Sequence, residues 1–478
     1  MSLKQKTVSA LIWSLIDNIA NLGINFVIGI ILARLLSPHE FGLIGMITIF
    51  LAVAQTFITG GFGQALIRKS NCTQADYSTV FLFNLVVSVF LFLVLFFSAG
   101  TISAFFNEPK LSLLIRVLAT GLIINALSII QKTILTKRLD FKLQTRISII
   151  ASVISGIIAI VLALYGFGVW SLVVRILISF VLNSFLLWYW NTWRPLFLFD
   201  KKSFNELFSF GGKILLSGLI DTIYQNIYYV VIGKYFHADQ LGYYTRADQF
   251  QALPSQNMQG VIGRVSYPIL ATIQHDIPAL KSAYIKLIKS TMLISFVLMI
   301  GMAAVAKSMI VALIGIKWLP SVAYLQLLCF VGMFIPLHAL NLNMLEIQGR
   351  SDLFLRLEII KKILAVPAII IGIFIGIKGM IVGMFINTLI AYYLNSYWSG
   401  KFIGYSFFNQ IKDLLPAFLI AVIVSGLVFL LGILVNLSPI VVFSLQISLG
   451  VLLTIGICEF IKFEDYFYIK QIIVEKIW

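Results

Sequence analysis

The stretch LIWSLIDNIANLGINFVIGIILARLLSPHEFGLIGMI, residues 11–47, decides the fold. Between Leu11 and Leu36 it holds one carboxylate, Asp17, and one cation, Arg34. A helix needs about 20 predominantly apolar residues to cross the hydrocarbon core of a bilayer, and this run is longer. Ser37-Pro38 punctuates it, and a second apolar run follows. The first run is not uniformly greasy. Asp17, Asn21 and Asn25 stand at i, i+4 and i+8 with Ser14 and Asn18 beside them, so a helix gathers them on one face. An ionisable group inside a span costs about 2.5–3.5 kcal/mol to insert, so the stripe is read either as functional or as polar glue between helices.

The segment recurs. Leu15-Ile16-Asp17 returns as Leu219-Ile220-Asp221, and Val27-Ile28-Gly29 as Val231-Ile232-Gly233, at an offset of 204. After four residues are lost in the connecting turn, Gly42, Phe50, Ala52, Gly60 and Gly63 meet Gly242, Phe250, Ala252, Gly260 and Gly263 at an offset of 200. Apolar matches are cheap in this composition; a matched aspartate and repeated glycines are not. The repeat unit is six spans. An even unit keeps both copies in one orientation, as parallel repeats related by an axis along the membrane normal, one of the transporter plans.

Composition extends the reading to the whole chain. Of 478 residues, 60% are apolar and only 11% charged, and the mean hydropathy is +1.00. A soluble domain carries about a quarter charged residues. Soluble enzyme, disordered tail and disulfide-stapled secreted module are therefore excluded. The apolar residues run in long blocks, which predicts helices rather than the short alternating strands of an outer-membrane barrel. The expected fold class is an all-α polytopic membrane protein. It has fourteen spans, as two six-helix lobes around a central cavity plus two added C-terminal helices. The spans fall at 8–36, 41–67, 77–106, 111–135, 144–165, 168–191, 204–234, 241–263, 284–306, 321–347, 353–376, 378–399, 411–435 and 439–461. The corresponding domains are an N-lobe at 1–191, a cytoplasmic linker at 192–203, a C-lobe at 204–400, and the last two spans with a tail at 401–478. The first run lacks a clear cleavage site and is expected to stay as the first span.

With the N-terminus inside, 26 of the 35 Lys and Arg fall on the cytoplasmic side and 7 on the other, while Arg175 and Arg246 fall inside spans. That asymmetry predicts two cytoplasmic termini. It also accounts for the net charge of +16 without nucleic acid. The stretches outside the spans, 264–283 and the tail from about 462, are too short for a catalytic domain.

Polar residues crowd three further spans. Span seven carries Ser217, Asp221, Gln225 and Tyr228, and span two carries Thr48, Gln55, Thr56, Thr59 and Gln64. Span eight holds Thr245, Arg246, Asp248, Gln249, Gln251, Ser255, Gln256, Asn257 and Gln259, with Pro254 among them. Lipid cannot solvate that helix on all sides, so it faces a hydrated cavity or is broken towards its C-terminus. There is no P-loop, no H-E-x-x-H and no G-x-S-x-G, and the four histidines lack metal-ligand spacing. Cys72, Cys329 and Cys458 suggest neither a disulfide nor a metal site.

The segment 11–47 resembles the first two spans of polysaccharide flippases of the multidrug/oligosaccharidyl-lipid/polysaccharide exporter superfamily. VVIGKYFHADQLGYYTRADQFQALP (230–254) resembles the span seven-to-eight hairpin of that family, and YGFGVWSLVVRILIS (165–179) its span five-to-six turn. The similarity is to the Wzx type, which handles O-antigen, capsule or exopolysaccharide. It implies a bacterial inner-membrane transporter, not an enzyme. Its cargo would be an undecaprenyl-diphosphate-linked oligosaccharide moved to the outer leaflet by alternating access. By analogy with cationic cavities in the family, Arg246, Arg175, Lys213 and Arg264 would bind the diphosphate. Asn21, Asn25, Gln55, Gln225, Tyr228, Gln249 and Gln256 would line the cavity, where amides and hydroxyls can bond sugars. Asp17, Asp221 and Asp248 are the candidates for sensing a coupling proton or sodium ion. No other cofactor is expected. The expected partners are the lipid-linked substrate, the bilayer and other polysaccharide-assembly proteins, and the chain is read as a monomer. The competing readings are a peptidoglycan-precursor flippase or a drug or cation antiporter of the same superfamily, and more distantly a membrane polysaccharide polymerase or ligase.

Overall fold

The computed structural model describes residues 3–477, and among them every side chain except those of 3–8, 11, 261, 264, 265 and 472–477. Among the described residues all regular structure is helical. The helices are α1 (Leu3–Leu35), α2 (Pro38–Thr59), α3 (Phe62–Arg68), α4 (Gln74–Phe106), α5 (Lys110–Lys137), α6 (Phe141–Leu164), α7 (Val169–Trp190) and α8 (Lys201–Tyr235). There follow α9 (His237–Thr272), α10 (Ile277–Ile314), α11 (Ser321–Gly332), α12 (Ile335–Ile347), α13 (Ser351–Ile375), α14 (Ile377–Ile403), α15 (Phe407–Leu434), α16 (Pro439–Phe460) and α17 (Glu464–Ile477).

Among the described residues, twelve segments are long and apolar enough to cross a membrane, α2 with α3 and α11 with α12 each forming one. Two further helices have the length but fall outside that set: α9 is too polar, carrying the amides, and α13, though apolar overall, carries Glu358, Lys361 and Lys362. The twelve correspond to the expected spans other than the eighth and the eleventh, which fall on α9 and α13. Two expected spans are interrupted. The second bends at Gly60-Gly61, whose left-handed φ values of 53° and 67° suit glycine. The tenth breaks between Gly332 and Ile335. The eighth is not broken: α9 runs through Pro254 and Pro268 to Thr272. Most of the stretch 264–283 is therefore helical extension of α9 and α10.

Two compact units divide the chain, Met1–Gly242 and Tyr243–Trp478. The expected linker at 192–203 lies inside the first unit, where it is strapped down. Gln131 Nε2 donates to the Trp193 carbonyl at 3.1 Å and Gln74 Nε2 to the Arg194 carbonyl at 2.6 Å. The backbone amides of Leu196 and Asp200 donate to the hydroxyls of Ser78 (3.0 Å) and Thr79 (2.9 Å). Compactness divides the chain after α8 because α8 packs along α2, α3 and α4.

That packing is antiparallel and close. At one end, where α8 has given way to the start of α9, a Cβ on Gly42 would collide with the carbonyl of Ala238, and a Cβ on Gly242 with the carbonyl of Pro38. The contact is reciprocal: Gly42 and Gly242 are repeat mates at the offset of 200, and so are Pro38 and Ala238. Duplicated corners therefore pack on each other as a two-fold pair would, backbone against backbone. Midway, the hydroxyls of Thr56 and Thr222 lie 2.9 Å apart. At the far end, a Cβ on Gly61 would collide with the Gly211 carbonyl.

Overpacking a close contact costs about 1–3 kcal/mol. Gly42→Val and Gly242→Val should each lower stability by about that amount, read as a fall in the thermal unfolding midpoint in detergent. Gly100→Val, at a site with open space around it, should fall by much less.

Candidate polar sites within the helical units

In the first unit the stripe of α1 meets α6 and α7. Ser148 and Asn21 both donate to Asp17 Oδ1, the amide at 2.8 Å. Asn21 Nδ2 also lies 3.0 Å from Ser148 Oγ, and its Oδ1 accepts from Ser152 at 2.9 Å. One turn on, Asn25 Oδ1 accepts from an Arg175 Nη at 2.6 Å, and Asn25 Nδ2 donates to the Asn21 carbonyl at 2.8 Å. Four of the residues singled out from the sequence, Asp17, Asn21, Asn25 and Arg175, thus form one polar ladder. Its α6 rungs were missed. Thr145, Ser148, Ser152 and Ser155 fall on one face of span five, a stripe legible in principle but built of hydroxyls cheap enough to ignore. Helix α1 is also sparsely covered: Asn18 and Asn25 are exposed, and Ile19 is 71% exposed.

Elsewhere in this unit Lys213 and Gln225 are exposed on α8, Asp221 is half-buried, and Tyr228 is buried. Lys213 lies about 12 Å along α8 from Asp221, at 1.5 Å per residue. Gln55 is half-buried on α2, where its carbonyl accepts from Thr59. Lys69, just after α3, bridges Asp76 (3.1 Å) and Glu206 (2.9 Å), joining the α3–α4 loop to α8. The bond to Glu206, aided by Asp76, holds the Lys69 ammonium above its ordinary pKa.

In the second unit α9 separates its polar groups by face. Gln249, Gln256, Asn257 and Gln259 are exposed, while Gln251, Ser255 and Ser266 are buried. Arg246 and Asp248 are half-buried on the same helix, and the side chain of Arg264 lies outside the described residues. Gln251 bonds Ser255 at 3.0 Å and lies over Gly332, where a Cβ would strike its amide; this is the start of the break between α11 and α12. A buried hub centres on Asn341 of α12, whose Oδ1 accepts from Tyr284 (3.0 Å), Ser399 (2.5 Å) and Gln410 (3.4 Å). Nearby Asn395 Nδ2 lies 3.2 Å from His338 Nδ1. The hub ties α10, α12, α14 and α15, and nothing in the sequence pattern announced it. Among the described residues, no group of three or more His, Cys, Asp or Glu could hold a metal ion.

Fold and polar interior define a polytopic helical membrane protein of duplicated design. The model of the polysaccharide biosynthesis protein family matches residues 31–323, and the chain belongs to that family. It is 31% identical over 303 residues to the teichuronic acid biosynthesis protein TuaB of Bacillus subtilis (strain 168), a match spanning 63% of this chain and 62% of that protein. It is 25% identical over 405 residues to the lipopolysaccharide biosynthesis protein WzxC of Escherichia coli (strain K12), spanning 82% of each. Its fold is that of the lipid II flippase MurJ in an inward closed conformation, with a TM-score of 0.75 at 15% identity over 97% of this chain and 100% of that one. The resemblance read from residues 11–47, 165–179 and 230–254 is borne out.

Interhelical hydrogen bonds within membranes contribute about 0.6 kcal/mol on average and up to about 1.7. Ser148→Ala and Ser152→Ala should each lower stability in detergent by an amount in that range. Ser98→Ala, which removes a bond confined to its own helix, should have a smaller effect.

Proposed function

We propose that the protein is a flippase. It moves an undecaprenyl-diphosphate-linked oligosaccharide from the cytoplasmic to the outer leaflet of a bacterial inner membrane, for surface polysaccharide synthesis. Family membership and the relatives' names, lipopolysaccharide and teichuronic acid biosynthesis, support the glycan. The observation that carries the transport reading is the exposed amide face of α9. Hydrocarbon cannot solvate a row of amides, so that face borders water within the membrane's thickness. Amides there can donate to and accept from sugar hydroxyls.

The diphosphate needs cations. Arg246 and Arg175 are assigned that role, with Lys213 and Arg264 as further contacts; a guanidinium offers paired donors to phosphate oxygens. Arg175 would exchange its bond to Asn25 for the substrate. Asp17 is assigned the ion-coupling role, with Asp221 and Asp248 as further candidates. Protonating Asp17 would weaken the acceptor that Ser148 and Asn21 share, giving the ion a differential interaction with two states, which coupling requires. The reciprocal corners at Gly42 and Gly242 would part as the path opens on that side. Both termini are placed in the cytoplasm, the working unit is a single chain, and other assembly proteins of the same polysaccharide are its proposed partners.

In proteoliposomes holding purified protein and a lipid-linked oligosaccharide, the wild type should make the glycan accessible to an enzyme on the far side. The Arg246→Ala, Arg175→Ala double variant should slow this by about tenfold or more, the equivalent of one lost charge-assisted contact of about 1.4 kcal/mol. The Asp17→Asn, Asp221→Asn double variant should lose the response to an imposed proton or sodium gradient. Unchanged glycan translocation in the arginine variant would remove the headgroup assignment, and no translocation by the wild type would remove the flippase reading.

A further inference from the structure

The exposed face of α9 does not end with its amides. Gln249, Gln256, Gly263 and Tyr267 are exposed at i, i+7, i+14 and i+18, so they share one side of the helix, with Leu253 and Gly260 half-buried between them. At 3.6 residues per turn, Tyr267 lies about five turns from Gln249 and in line with it. The Tyr267 side chain is 40% exposed. It stands on the side that borders water rather than hydrocarbon, which separates it from the tyrosines of a lipid-facing aromatic belt. From Gln249 to Tyr267 the chain holds no carboxylate, and its one charged residue is Arg264. Such a row suits a hydroxyl-rich, uncharged partner beside an anion, and does not suit an organic cation.

Room for that partner is present at Gly263. Its repeat mate Gly63 sits in α3, where a Cβ would meet the Thr133 hydroxyl at 3.4 Å. Gly263 lies in unbroken α9, has no positive φ, and has nothing within 4 Å of the position a Cβ would take. Neither backbone geometry nor a neighbouring helix calls for glycine there, and glycine is a poor helix former. Its effect is a bare patch of helix surface. Long side chains on a helix lean over the preceding turn, so the Tyr267 ring borders that patch.

Depth narrows the choice of occupant. With the termini in the cytoplasm, Gly242 marks the outer end of the eighth span. From there to Tyr267 α9 rises about 38 Å at 1.5 Å per residue, more than a hydrocarbon core about 30 Å thick. Tyr267 is therefore level with the cytoplasmic headgroups, where lipid tails do not reach. In the proposed cargo, the diphosphate and the sugar bonded to it occupy that level before transport.

We infer that Tyr267 is a stacking platform for the sugar attached directly to the diphosphate, seated against the bare surface at Gly263. A tyrosine ring is a flat apolar plate with a hydroxyl at its tip. A pyranose has a matching build, a face of C–H groups and a rim of hydroxyls. Arg264, a proposed diphosphate contact, stands three residues before Tyr267, a spacing that makes neighbours on a helix. The first sugar is bonded to that diphosphate, so the two assignments fit one ligand. The inference rests on the flippase reading and deepens it: Tyr267 reads the first sugar, a role distinct from holding the anion.

The test is retention of two radiolabelled lipids by the purified full-length protein in detergent. One is lipid-linked oligosaccharide extracted from the source organism, and the other is undecaprenyl diphosphate alone. The wild type should hold the first more tightly. Tyr267→Ala should weaken retention of the oligosaccharide lipid about tenfold and leave the bare carrier unchanged, while Tyr267→Phe, which keeps the ring, should stay within about twofold of wild type. Gly263→Leu, which fills the patch, should also cost about tenfold for the oligosaccharide lipid alone. Leucine is the better helix former, so this variant keeps the test decisive if Tyr267→Ala fails to fold. Dioleoylphosphatidylglycerol at matched concentration should displace little of either lipid. Unchanged retention of the oligosaccharide lipid in Tyr267→Ala and Gly263→Leu would overturn the proposal. Equal weakening of both lipids would also overturn it, identifying a headgroup contact blind to sugar. A wild type that holds both lipids alike would remove the glycan reading and this proposal with it. A wild-type preference that survives in both variants would remove the role of Tyr267 and leave the flippase reading standing.

Discussion

The structure depends on how closely two backbones can approach. The first turns of α2 and α9 meet where Gly42 faces the Ala238 carbonyl and Gly242 faces the Pro38 carbonyl, with no room for a Cβ on either glycine. In a membrane the hydrophobic effect does not drive helices together, since lipid tails are as apolar as leucine. Association relies on packing and on interhelical hydrogen bonds, and small residues let backbones come close. The seam shows both devices, glycines at its ends and Thr56 with Thr222 at its middle. The reciprocity at the corners gives a physical reason for glycine at both of those repeat positions. Each copy supplies the space that the other copy's carbonyl occupies.

Polar groups follow the complementary constraint. Asp17 cannot face hydrocarbon alone, and α6 answers it with Ser148 while Asn21 answers from one turn away. The same economy places Asn341 at the centre of three donors in the second unit. The amides on the exposed face of α9 differ, because water is the partner available to a whole row of them. Bundled polar groups hold each unit together, and the amide row of α9 is the surface proposed to meet a hydrated cargo.

Much of this was legible in the sequence. Long apolar blocks specify spans, because span length is set by the bilayer and not by neighbours. The stripe at Asp17, Asn21 and Asn25 was visible because helical spacing is a local property. The repeat showed that Gly42 and Gly242 correspond, yet not that they touch. Which helix lies beside which is a long-range property, so the hydroxyls of α6, the Asn341 hub and the attachment of α8 to the first unit were not readable. Span eight shows the limit plainly. Its composition allowed either a broken helix or a hydrated face, and the structure has a continuous helix with its exposed amides on one side.

The central claim is that the duplicated corners are a closed contact that parts during transport. Spin labels at Leu35→Cys and Tyr235→Cys, exposed positions beside the corners, report on it through electron–electron distance measurement in lipid nanodiscs. The account predicts one short distance in the resting protein and a second, longer population when lipid-linked oligosaccharide is added. A single unchanged distance in protein shown to be translocating would contradict it.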